Sequence, residues 1–102
     1  MAANVVDNPD ASRFDLLVDD KPAGLLAYVR HGTSIALVHT EVDPAFEGHG
    51  YGAVLVKGAL DAARAEGLHV IPLCPFVQAY LKRHPDDLDV VSAEERARHG
   101  LG

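Results

Sequence analysis

Cysteine occurs only once in the chain, at Cys74. A disulfide framework is thereby excluded, and a reducing, cytoplasmic setting is the expectation. Long apolar runs are missing too. No stretch approaches the ~18 residues of a membrane span, and no basic segment leads into an apolar one, which argues against a membrane anchor and a secretion signal. Positive charge is scarce: 9 Lys and Arg against 15 Asp and Glu leave a net charge of -6. Duplex binding needs clustered cations, so nucleic acid is not the expected partner. The acid is gathered towards the ends, in "DNPDASRFD", "PDDLD" and "AEE", and reads as solvated surface. There is no internal repeat or low-complexity tract. What is present is the makeup of one ordinary globular domain, 102 residues with 48% hydrophobic and 24% charged content.

Residues 1–12 are polar, carry a proline and read as a flexible N-terminal arm. "RFDLLVD" (Arg13–Asp19), "LLAYVRH" (Leu25–His31) and "SIALVHTEV" (Ser34–Val42) read as three strands. Their short links make an antiparallel meander. The third is apolar on both faces, as a central strand would be. From Gly52, small or apolar residues recur at Leu55, Val56, Ala59, Leu60 and Ala63, the stripe of a buried helical face, and Gly67 is a stop signal. "LHVIPLC" (Leu68–Cys74) is a fourth strand. Pro75 suits the first position of a second helix, with Phe76, Val77, Tyr80, Leu81 and His84 on one face and Pro85 at its end. Leu88–Val91 reads as a short extended piece, and Ser92 as the cap of a short helix in the tail 92–102. The fold class expected is α+β: a mixed sheet in which a helix crossover brings in a parallel strand, confined to a domain at 13–91.

The stretch "FEGHGYG" places Gly48, Gly50 and Gly52 at a helix entrance. A helix N-terminus offers unpaired N–H groups and partial positive charge, and glycines let a phosphate reach them. No Lys-Ser or Lys-Thr pair occurs, so this is not a P-loop. Leu55 stands where a dinucleotide fingerprint needs its third glycine. A glycine-rich turn that merely lets a helix pack closely on a sheet remains an alternative.

The pattern that remains resembles the pyrophosphate-binding signature of the Gcn5-related N-acetyltransferases, [QR]-x-x-G-x-[GA]. "EGHGYG" matches it at Gly50 and Gly52, while Glu47 stands where the family has Gln or Arg. The segment from His39 to Pro85, with its H-T-E-V and P-x-C-P-F runs, is similar to the short, single-domain YjdJ-type branch of that family. The resemblance implies a GNAT-like fold, acetyl-coenzyme A (acetyl-CoA) as cofactor and an amine as acceptor. It also implies that Glu47, Gly48, His49, Gly50, Tyr51 and Gly52 cradle the pyrophosphate, with Cys74 and Phe76 also at the cofactor. Val42, at the end of its strand, would hold the pantetheine arm. A monomer or weak homodimer is expected.

Acetyl transfer needs a neutral amine, a polarised thioester carbonyl and a proton for the departing thiolate. His39 and Glu41 alternate onto one strand face, and either suits the base; they equally suit a pair satisfying each other. No ligand spacing among His39, Glu41 and His49 points to a metal. Cys74 falls at the start of the second helix, where the positive helix end favours the thiolate. It is a candidate acyl acceptor, proton donor or cofactor wall. Tyr80 resembles the family's tyrosine that protonates the coenzyme A sulfur, although its spacing to Phe76 also suits the core. Lys82, Arg83 and His84 are either a solvated helix end or a contact for the nucleotide phosphates. A module that binds acyl-CoA without turnover, or an interaction domain, are the alternative functions.

Overall fold

The computed structural model describes residues 2–102. Strands β1 (Ala3–Asn8), β2 (Arg13–Val18), β3 (Lys21–His31) and β4 (Ser34–Val42) form an antiparallel meander. Helix α1 (Tyr51–Ala65) then carries the chain to β5 (His69–Pro72), which lies parallel to β4. Helix α2 (Pro75–Arg83), a 3-10 helix (Pro85–Val90) and α3 (Ala93–Arg98) complete the order, and the strands run β1-β2-β3-β4-β5 across the sheet. The α+β class and the parallel crossover expected from the sequence are therefore present.

Burial alternates along the strands, so one sheet face makes the core. Phe14, Leu16 and Val18 of β2, Leu26 and Tyr28 of β3, and Ile35 and Leu37 of β4 pack against α1 and α2. On α1 the buried residues are Gly52, Leu55, Val56, Ala59, Leu60 and Ala63, the same stripe that the sequence shows. The other face stays open, with Val29 60% exposed. The β2–β3 turn is tighter than expected. Asp19 and Asp20 both take positive φ (51° and 67°), the geometry of a two-residue hairpin turn that matches strand twist.

Two departures from the sequence reading concern the ends of the chain. The expected arm is instead an edge strand, paired along β2 from Ala3↔Val18 to Asn8↔Arg13. Polar side chains hide it, because only Ala3, Val5 and Asn8 are even half-buried. Val5 packs on α1 at Gly58, where an added Cβ would lie 2.7 Å from the valine side chain. Asp7 accepts a hydrogen bond from the Tyr28 hydroxyl (2.7 Å). Near the other end, the extended piece expected at Leu88–Val91 is largely 3-10 helix, because Asp87 is drawn into a buried joint. Its carboxylate accepts from Lys57 (3.1 Å), Arg64 (3.0 Å) and Tyr80 (3.1 Å), fastening the segment to both long helices. Ser92 caps α3 as expected, its hydroxyl accepting from the Glu95 N–H.

Strand β4 matters most for the site. It has neighbours on both sides only over Ser34–Leu37, where β5 pairs with it. Beyond that the two separate: the N–H groups of Leu73 and Cys74 both turn onto the Leu37 carbonyl. The pairing with β3 also shifts, from Tyr28↔Leu37 to Ala27↔His39, which leaves Val38 as an extra residue. Such a bulge reverses the side-chain alternation that follows. Thr40 and Val42 consequently face the helices, and His39 and Glu41 face the open side.

Candidate active site

The separation of β4 from the start of α2 opens a cleft of about 650 Å³ on the helix-covered side. Its walls are Thr40 and Val42 of β4, Phe46 to Gly48 of the connecting loop, Gly50 to Ala53 at the entrance of α1, Phe76 and Arg83 of α2, and His84 just after it. Each loop glycine has its own reason. Gly48 and Gly50 take φ of +83° and +76°, a region that strains other residues, and the space where their Cβ atoms would stand is empty. Gly52 is on the helix, and its Cβ would meet the Phe76 ring at 2.5 Å. No side chain caps α1. The N–H groups of its first turn, which an α-helix cannot pair internally, therefore lie among cleft-lining residues. This is a cradle of backbone donors without Cβ atoms, and it fits a pyrophosphate.

Of the residues proposed from sequence for the cofactor, Val42, Glu47, Gly48, Gly50, Tyr51, Gly52 and Phe76 come together in this cleft. Phe76 is 41% exposed, so it is a wall and not a core residue, and His84 is also outside the buried face of α2 formed by Val77, Tyr80 and Leu81. His49 does not line the cleft; its ring lies beside that of Tyr51, with centroids 5.7 Å apart.

The catalytic candidates are spread over three places. Cys74 is the residue preceding α2, as expected, but it is 4% exposed and its thiol makes no cap to the helix. Instead Sγ lies 3.3 Å from the Thr40 hydroxyl, which itself faces the cleft. His39 and Glu41 pair at 3.5 Å on the open face, each side chain 61% exposed. Tyr80 is 4% exposed and its hydroxyl donates to Asp87. Burial and that hydrogen bond raise its pKa. The structure thus places Tyr80 in the joint of the two helices, away from the cleft, because its spacing from Val77 and Leu81 puts it on the buried face of α2.

Sequence reasoning did not single out Thr40, Phe46 or Ala53. Thr40 belongs to the cleft only because the bulge at Val38 turns it inward, and nothing in "LVHTEV" announces a bulge. Phe46 packs edge-on to Tyr51, their centroids 6.3 Å apart, over the loop between them.

The sequence profile of the GCN5-related N-acetyl-transferases matches residues 13–90. The chain belongs to that family. Membership agrees with the fold described above. The chain is similar to Protein NATD1 of Xenopus tropicalis, with 38% identity over 66 residues, 65% of this chain and 60% of that protein. Among solved structures, a GCN5-like protein from Staphylococcus aureus superposes with a TM-score of 0.67 at 22% identity, covering 87% of both chains. Ard1 from Thermoplasma volcanium aligns with a TM-score of 0.51 at 20% identity, over 58% of this chain and 41% of its own. At such identities these two likenesses concern the fold alone. No helix among the described residues is long and apolar enough to cross a membrane.

Proposed function

We propose that this member of the family is an acetyl-CoA-dependent N-acetyltransferase acting on a primary amine. The observation that carries this reading is the cleft built around the uncapped start of α1 and its Cβ-free glycine loop. Gly48, Gly50 and the first-turn amides of α1 would hold the pyrophosphate, and Val42 and Phe76 would flank the pantetheine arm. Glu47 departs from the family signature and places a negative charge at this wall. Arg83 lines the same cleft and supplies a compensating charge.

When bound, the cofactor supplies an acetyl group activated as a thioester. The remaining work falls to the chain. Glu41 or His39 takes the proton that the acceptor ammonium must lose. The Thr40 hydroxyl, backed by the Cys74 thiol at 3.3 Å, lies where a proton can be handed to the leaving sulfur. Cys74 in this reading acts through Thr40, which accommodates its burial.

A second reading, retention of acyl-CoA without turnover, is favoured by the same burial of Cys74. Calorimetric titration with acetyl-CoA and coenzyme A, followed by intact mass spectrometry, separates the alternatives. Binding together with acetylation of an amine panel supports the enzyme. Binding without transfer supports the retention module. An acetyl adduct on the protein that disappears in Cys74→Ala establishes the thiol as acyl acceptor. Unchanged affinity in Gly50→Val refutes the loop assignment.

A further inference from the structure

The open face of the sheet carries a second cleft, of about 340 Å³. Its floor is apolar and narrow, made by Pro22, Gly24 and Leu25. The register of three strands sets what surrounds that floor. Asp15, Leu25 and Glu41 are direct partners across β2, β3 and β4, and so form one row on one face. At a strand spacing of ~4.8 Å, the two acids stand about 10 Å apart with Leu25 between them.

The acids are not equivalent. Asp15 is held by Arg13 at 2.8 Å and by Asn8 at 3.0 Å. Asp43 accepts the Ala45 N–H at 2.9 Å. Glu41, among the described residues, has only the loose 3.5 Å contact with His39. It is the cleft carboxylate held most loosely, and it ends an apolar trough.

Placement connects this trough to the chemistry. Val42 walls both clefts, and the turn after it contributes Pro44 to the second and Phe46 to the first. The geometry points to the second cleft as the acceptor site, taking a primary alkylammonium on an unbranched chain. The methylenes lie on Leu25 and Pro22 while the ammonium meets Glu41 beside the Val42 partition. This rests on reading the glycine-loop cleft as the acyl-donor site. In the transfer, Glu41 would take one proton from the ammonium, the freed nitrogen pair would form the bond to the acetyl carbon as the carbon–sulfur bond breaks, and the second nitrogen proton would pass to the departing thiolate to give the free thiol.

Amide chemical shifts of the labelled protein test both halves separately. Titration with 1,5-diaminopentane, or with a short lysine-containing peptide, should shift the amides of Leu25, Glu41 and Asp43. 1-Pentanol, of similar length and uncharged, should leave them in place. The better of the two amines identifies whether the alkylammonium is free or carried on a peptide. Glu41→Gln should weaken the amine shifts about fivefold, the ceiling for an exposed ion pair. Leu25→Lys, which puts a cation on the floor, should abolish them. Amine shifts that fall elsewhere, or that survive Leu25→Lys, overturn the proposal. Acetyl-CoA should meanwhile shift Gly48 to Gly52 in wild type and in Leu25→Lys alike; if it does not do so in wild type, the donor reading fails, and the acceptor assignment with it.

Discussion

Replacing Asp87 by Ala removes the acceptor at the centre of the joint between α1, α2 and the 3-10 helix. Asp87 is 6% exposed and receives Lys57, Arg64 and Tyr80. The two cations lose little. Lys57 retains Asp61 and Arg64 retains Asp89, and pairs this exposed contribute little. Tyr80 fares worse, because a buried hydroxyl left without a partner costs about 1–3 kcal/mol. A loss of about 1–3 kcal/mol follows, equivalent to a fall in Tm of roughly 5–20 °C for a domain of this size. Urea and thermal unfolding of wild type, Asp87→Ala, Tyr80→Phe and the double variant measure it. In the Tyr80→Phe background no hydroxyl is orphaned, so Asp87→Ala should cost about 1 kcal/mol less there. Additive single effects would refute the assignment of the cost to the tyrosine.

Gly24→Ala sets a Cβ 2.5 Å from the Glu41 carbonyl oxygen, a backbone atom that no rotamer change can move. A loss of about 1–3 kcal/mol is expected in denaturant unfolding, with amide shifts in β4 as far as Val42. In Gly52→Ala the obstacle is the tip of the half-exposed Phe76 ring, which can swing aside; stability should hold within about 1 kcal/mol, while acetyl-CoA affinity measured by calorimetry falls. Stability should also depend on pH at both extremes. Burial alone would raise the Asp87 pKa, but hydrogen bonds from Lys57, Tyr80 and Arg64 outweigh it, and Arg64 likewise lowers that of Asp89. These depressed values contribute stability that is present above the unfolded carboxylate pKa of about 4 and is lost as pH falls below it. At the alkaline end, burial and Asp7 push Tyr28 up to about 12, and burial and Asp87 raise Tyr80. Their contribution is complete below an unfolded pKa of about 10 and is lost as pH rises through the folded values. A flat profile of unfolding midpoint against pH would contradict both shifts.

Much of the fold was legible because its signals are local and periodic. The α1 stripe, Pro75 at the start of α2 and the Ser92 cap each follow from a few neighbouring residues. The glycine loop was legible for the same reason, since two of its three glycines answer to their own backbone angles. What escaped depends on partners far along the chain. Strand β1 carries two adjacent valines among polar residues, and only the edge of β2 and Gly58 make a strand of them. Asp87 looked like one of several solvated acids until Lys57, Arg64 and Tyr80 converged on it. The places of Thr40, His39 and Glu41 turn on a register shift against β3, which no pattern within β4 encodes.

That shift means that the way the β3–β4 pairing takes up Val38 decides which side chains meet which cleft. Were Val38 paired in regular register instead of bulged, everything after it would turn through half a rotation about the strand axis. Glu41 and His39 would then point into the glycine-loop cleft, and the Thr40 hydroxyl would point at the open face. A single bulged residue keeps the carboxylate–imidazole pair and the glycine-loop cleft on opposite sides of one ribbon of backbone.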